Sequence, residues 1–396
     1  MKRRFQNRLA ESNITLPAAC VVATLLWWLP QGTYSTAYMH AWLACTALTY
    51  FCIEATTAHA LLRVRSQMPT ALLLFVMAAC GFMHDKSRQL LAALALLMAI
   101  HCLLRTSAAS SSAEDIAASR NAQRPQAETF HAFAALSLGS LLWPPLLLLA
   151  LPLLWSQLAY LRTMSWRCLG AAVIGCATPY FFWGVGALAA GQLTPFTHHC
   201  AAVIAPIAEP IADIADGGMP LAYTYFRQLP AEGESLTWAA VAGNVSAWAA
   251  ARVPKLAAAA LVALLALTGF VHYARNSYDD KINVRISHQT FLATQVATAL
   301  WLALQPRQFI WLLPLLLLTS VPSASHFIAF TRTWLTNAWV LALALLLVIT
   351  AVLNLIPGAT AMLTDLSAFM TGSTTSAAEA FHSLLDSIGI APPQGS

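Results

Sequence analysis

Charge is scarce in this chain. Of 396 residues only 21 are Lys or Arg and 16 are Asp or Glu, or 9% in all, against roughly 25% in a soluble domain. Hydrophobic residues supply 59% and the mean hydropathy is +0.65, so the sequence reads as a membrane protein. Nucleic-acid binding finds no support, because the distribution of the +5 net charge matters here more than its sum. The usual signatures of chemistry are missing too. The eight cysteines (20, 45, 52, 80, 102, 168, 176, 200) lie mostly inside apolar runs, with no CxxC or CxxxxC, and read as small core residues. No phosphate loop, dinucleotide fingerprint, HExxH or nucleophile elbow occurs, and no cofactor is expected. The reading leans away from an enzyme.

What is present is a succession of apolar runs. A spanning helix needs about 20 mainly apolar residues. Eleven stretches qualify as candidates: 15–31, 36–62, 68–83, 89–104, 129–143, 145–161, 168–191, 255–274, 286–304, 309–328 and 333–355. The fifth and sixth are short and meet at Trp143-Pro144-Pro145, so they form either a tight hairpin of two crossings or a re-entrant pair. The first follows a basic start and is read as an uncleaved anchor, because no small-residue cleavage site follows Pro30.

Orientation follows from the basic residues. With the N-terminus inside, 15 Lys and Arg fall in inside connectors and six outside, the latter being Lys86, Arg88, Arg227, Arg252, Lys255 and Arg307. That asymmetry is a positive-inside pattern, and it supports an odd number of spans. The fold expected is an all-α polytopic transmembrane helix bundle of about eleven spans, N-terminus in and C-terminus out. It divides into a four-span group (1–105), an Ala/Ser-rich cytoplasmic linker (106–128), three spans (129–191), an extracytoplasmic loop (192–254), four spans (255–355) and a tail (356–396).

The loop carries two apolar stripes at helical spacing, Ile204, Ile207, Ile211 and Ile214, then Trp238, Val241, Val245 and Trp248. Both are expected as helices lying in the outer interface, with Pro206 and Pro210 weakening the first. The tail repeats the spacing at Phe381, Leu384, Leu385 and Ile388. No internal repeat in register is visible, so the inverted-repeat signature of many secondary transporters is lacking.

Against this background the few polar groups stand out. Glu54 lies about two helical turns inside Arg63 and Arg65, and an ionisable group within a span normally faces the bundle interior, a wet cavity or a partner. His59, His101 and His131 lie near the same ends of their spans and are candidates for a Glu-His relay with Glu54. Glu54 and His59 are five residues apart, which on one helix points them in different directions.

"HYARNSYDDKINVR", residues 272–285, holds five charges in one connector. Arg275, Asp279, Asp280, Lys281 and Arg285 read as a topology anchor with local ion pairs, as a site for an anionic headgroup or a protein partner, or as half of a diphosphate site. The last lacks the second acidic cluster that prenyl-transferring enzymes need for magnesium.

His326, in "PSASHFIAF", reads as a packing histidine ahead of a ligand. His198-His199, with Arg227 and Arg252, offer a weak likeness to the outer-loop residues of lipid-linked glycan ligases, and Asn244-Val245-Ser246 is a formal sequon. "QGTYSTAY" has none of the acidic residues usual in the first outer loop of integral glycosyltransferases.

"NSYDDKINVR" resembles a Tyr-x-Asp-Lys-Ile-x-x-Arg signature, matched by Tyr278, Asp280, Lys281, Ile282 and Arg285, of a family of uncharacterised polytopic inner-membrane proteins of Bacteroidota. "TFHAF" (129–133), "SWR" (165–167), "TPYFF" (178–182), "SHFIAF" (325–330) and "LTN" (335–337) follow in similar order. The resemblance implies topology and a bacterial envelope, and it carries no activity.

Two functions of different class follow. One is a non-enzymatic inner-membrane component that handles an envelope lipid or glycan intermediate, with the bilayer, an anionic lipid or lipid-linked glycan and envelope-assembly proteins as partners. The other is an ion-coupled carrier that uses Glu54.

Overall fold

The computed structural model describes residues 12–28, 36–59, 61–62, 66–108, 124–215, 238–305, 308–330 and 333–355. For 107–108, 124, 206–215, 238–252, Asp85 and Asp279 it describes the backbone alone. Among these residues the regular structure is entirely helical.

The helices are α1 (Thr15–Trp28), α2 (Thr36–His59), α3 (Met68–Ala79), a single turn α4 (Phe82–Asp85), α5 (Ser87–Ala108) and α6 (Arg124–Ser140). A composite rod follows, in which a 3-10 segment Pro144–Leu149 runs into α7 (Ala150–Ser156) and ends in a π turn, Gln157–Leu161. Then come α8 (Trp166–Ala189), α9 (Leu193–Ala215), α10 (Trp238–Asn276), α11 (Ile282–Leu304), α12 (Phe309–Phe330) and α13 (Trp334–Leu355).

Six of these rods are long and apolar enough to cross a membrane: 87–106, 144–161, 166–189, 253–276, 309–330 and 334–355, with α1 and α3 as shorter apolar helices. The chain is a multi-pass membrane protein. Each of the eleven expected stretches is helical, but α2 and α11 are long enough without being apolar enough, and α6, with 17 residues, falls short in length. For α11 the reason is visible, since Ser287, His288, Thr290, Thr294, Gln295 and Thr298 are all buried. Its polar face looks into protein instead of lipid.

Several boundaries differ from expectation for local reasons. Gly81 adopts a left-handed conformation (φ 69°) that ends α3 and starts α4, so the stretch expected at 68–83 is broken. Pro125 sits in the first turn of α6, where its missing N–H costs nothing, and the helix begins at Arg124 inside the expected linker. The expected outer-loop helix at Trp238 and the span expected from 255 are one continuous helix of 39 residues with Pro254 inside it. The first loop stripe lies on α9, whose backbone stays helical through Pro206 and Pro210. The tail stripe from Phe381 lies outside the described residues.

At the centre is α12, buried from Leu312 to Ala329 and packed against α10, α11, α3 and α5. α5 is the second inner rod, between α2 and α6, with Leu90, Leu96, Ile100 and Leu103 fully buried. α8 and α13 lie at the periphery and show Val173, Phe181, Phe182, Leu341 and Val348 outward. In lipid such helices are held by close packing, because tails outside are as apolar as the core within.

Glycines provide that closeness. A Cβ on Gly269 of α10 would lie 2.6 Å from the Ala324 amide nitrogen of α12, and one on Gly175 of α8 would lie 2.6 Å from the Phe130 carbonyl oxygen of α6. Gly170 has nothing within 4 Å of that position. Overpacking a tight site costs about 1–3 kcal/mol. Gly269→Val and Gly175→Val should therefore each lower the thermal melting point of the detergent-solubilised protein, followed by size-exclusion fluorescence, while Gly170→Ala should leave it unchanged.

Candidate functional site

The relay expected from sequence is assembled only in part. His59 and His101 meet across α2 and α5, with Nε2 and Nδ1 3.1 Å apart. Glu54 is on the exposed face of α2, close enough to act on His101 electrostatically. His131 is exposed on α6 with its ring edge on its neighbour Phe130. A second carboxylate that acts on His101, Glu128, accepts from Arg105 at 3.2 Å. Beside it, the buried Gln157 of the π turn donates to Thr129 at 2.8 Å, and Thr106 meets Thr163 at 3.2 Å. Polar contacts therefore close one end of the α5, α6 and α7 group.

The charged connector is divided in the same way. Arg275, Tyr278 and Lys281 are exposed and Arg285 is half-buried. Asp280 turns inward, where its Oδ2 lies 3.2 Å from His326 Nε2, and both side chains are fully inaccessible. His326 is thus bound to a carboxylate in the core. Asp280 stands two residues ahead of the α11 N-terminus and His326 lies in the last turn of α12. The Asp280 carboxylate thus faces the N-terminus of a helix, whose dipole favours a negative charge.

A separate feature lies on the other side of α6. The composite rod, α8 and the first half of α9 enclose with α6 a cavity of about 450 Å³. Its walls are short or apolar side chains, among them Ala150, Leu154, Ala172, Cys176, Ala177 and Ile204. Lining residues on α8 run from Leu169 to Tyr180, which at 1.5 Å per residue is about 16 Å. Val173 and Ile204, both lining residues, are at least 60% exposed, so the trough is open along one side onto the apolar surface of α8.

One end of the trough is polar. Tyr180 Oη lies 2.8 Å from Ser140 Oγ, which itself donates to the Ser137 carbonyl at 2.6 Å. Since Ser140 uses its proton there, Tyr180 donates to Ser140. His199 Nε2 reaches the Ser140 carbonyl at 3.1 Å and its ring stands edge-on to Trp183. His198 is exposed, so the adjacent histidines diverge.

The residues that sequence reasoning passed over are His272, Tyr273, His288, Glu128 and the trough walls. A signal existed for His288. Ser287, Thr290, Thr294 and Thr298 recur at helical spacing beside it, which marks a polar interior face. Among the described residues no three His, Cys, Asp or Glu are grouped to hold a metal ion.

Compared with known proteins, the chain matches no family model, no curated protein and no solved structure.

A buried carboxylate depends on the group that donates to it, and removing such a partner costs about 3–5 kcal/mol because a lone charge remains. His326→Leu alone should destabilise the protein more than the double replacement Asp280→Leu with His326→Leu, as read by melting temperatures in a double-mutant cycle.

Proposed function

We propose that this chain is a multi-pass cytoplasmic-membrane protein that receives one hydrocarbon chain of a membrane lipid or lipid-linked intermediate in the α6–α9 trough. It acts as a non-enzymatic component of envelope lipid or glycan handling. The observation that carries this reading is the trough itself: apolar, about 450 Å³ in volume and continuous with the lipid-facing side of α8. Its length along α8, about 16 Å, is close to half of the ~30 Å hydrocarbon thickness, the depth of one leaflet. Ligand pockets of this volume with a few converging polar groups are the ordinary form of a binding site. Tyr180, hydrogen-bonded to Ser140, is the lining residue that brings a hydroxyl to one end of the trough here.

The exposed Arg275 and Lys281 support the same reading from another face, since basic side chains beside a bilayer attract anionic headgroups. In the Bacteroidota signature, which we retain as a proposed kinship, Tyr278 and Lys281 are then the outward half and Asp280 the inward half. The topology that goes with it is eleven spans, N-terminus inside and C-terminus outside. The carrier reading built on Glu54 gains no support, because that carboxylate lies on an exposed helix face.

A phospholipid with a photoactivatable acyl chain, irradiated in proteoliposomes, should label the 169–180 peptide of α8 saturably and in competition with unlabelled lipid. Ala177→Trp fills the trough from an exposed position and should abolish that label. Unsaturable labelling spread evenly over α8 and α13 would remove the proposal. Separately, a C-terminal alkaline phosphatase fusion should be active and a C-terminal green fluorescent protein fusion dark.

A further inference from the structure

The inner ends of α10, α11 and α12 enclose a cluster of titratable side chains that the lipid reading does not use. We propose that Asp280, His326 and His288 form a membrane-embedded proton-binding site, at which a proton from water is held between one carboxylate and two imidazoles.

Hydrogen-bond accounting is the first support. His288 is 1% exposed, and its Nδ1 lies 3.0 Å from the Val284 carbonyl of its own helix. A carbonyl only accepts, so Nδ1 carries the hydrogen. His326, with no exposed surface, spends its Nε2–H on Asp280. That leaves its Nδ1 a bare lone pair, and Nδ1 has no hydrogen-bond partner among the described residues. His288 Nε2 is likewise buried without a partner inside hydrogen-bond distance. An unsatisfied buried polar atom costs about 1–3 kcal/mol. Two such nitrogens beside one carboxylate are a basic site kept ready for a proton.

Geometry is the second support. His326 lies 5.6 Å from His288, 5.4 Å from His272 and 5.6 Å from Tyr273, measured between ring centroids. Tyr273 stacks face to face on His288 at 4.6 Å with the planes 10° apart, and an aromatic face attracts a cation. The groups facing His326 are therefore His272 and Tyr273 from α10, Asp280 from the connector and His288 from α11. Asp280 is the negative charge among them that offsets an added proton.

The exchange is balanced. When water delivers a proton to His326 Nδ1 or His288 Nε2, a new N–H bond forms and a hydroxide or a deprotonated buffer is left outside. Once Nδ1 has taken up that proton, His326 passes its Nε2 proton to Asp280: that N–H bond breaks, an O–H bond forms, and an imidazolium beside a carboxylate becomes a neutral imidazole beside a neutral acid. The connector at Tyr278, Lys281 and Asn283 is exposed, so the donor side is water.

Histidine exchanges its proton within reach of physiological pH, roughly pH 5 to 8. The test is solid-state NMR of the ¹⁵N-histidine-labelled full chain in lipid vesicles over that range, since each imidazole nitrogen reports its own proton. Resonances are assigned by the single variants His288→Gln and His326→Gln. We expect both rings to convert between singly and doubly protonated forms within the range, and Asp280→Asn to remove the conversion of His326 while leaving exposed His131 unchanged. If both rings keep one protonation state throughout in the unmutated protein, the cluster is an internal clasp and the proposal falls. The deciding spectra come from the unmutated protein and need no lipid in the trough, so the proposal stands or fails apart from the lipid reading.

Discussion

Everything in this structure depends on the absence of water from the interior of a bilayer. A helix satisfies its own backbone, so the chain is built of helices, but nothing draws one apolar helix to another when the surrounding tails are equally apolar. The bundle therefore depends on surfaces that approach closely. α12 is the axis of that approach: Gly269 lets α10 reach its backbone, and Ser323 of α12 meets Gln295 of α11 at 3.4 Å. Gln295 in turn donates to the Ala266 carbonyl at 2.9 Å, so one amide ties three helices.

The same absence of water explains how hydroxyls are tolerated at the centre. Thr294, Thr298 and Thr319 each return their proton to a carbonyl one turn earlier in their own helix. These side chains are buried without needing a partner across the interface. Trp143, stacked between Trp301 and Trp311 at centroid distances of 5.2 and 5.3 Å, closes the bundle one turn beyond Thr298. Polar groups that cannot satisfy themselves locally collect at the other end of α11 and α12, where Asp280 and His326 meet.

Much of the fold was legible because hydrophobic length is a local property. Helices appear in each of the eleven stretches, and the Trp143-Pro144-Pro145 corner does reverse the chain. What sequence could not supply is direction. Glu54 was expected to face the bundle interior, a wet cavity or a partner because of its depth, and its position on the wheel of α2 exposes it, while Cys45, Leu48, Cys52 and Ala55 take the inner face. Asp280 was read with its neighbours Lys281 and Arg285 because they are adjacent in the chain, whereas it meets His326, 46 residues away. His59 and His101 were placed at one depth, and 3.1 Å separates them. The trough was not legible, since its walls come from four elements and its residues are unremarkable singly.

α10 runs unbroken for 39 residues, about 58 Å at 1.5 Å per residue, nearly twice the thickness of a bilayer core. Its first third precedes the segment that is apolar enough to span, and its last turn carries His272 and Tyr273 against the buried histidines. A rod of that length is a lever. Whatever displaces its Trp238 end is felt at Asn276 with a single joint between them, at Pro254, where the missing N–H weakens the helix. One rod therefore joins the Trp238 end to the turn that packs beside His326 and His288.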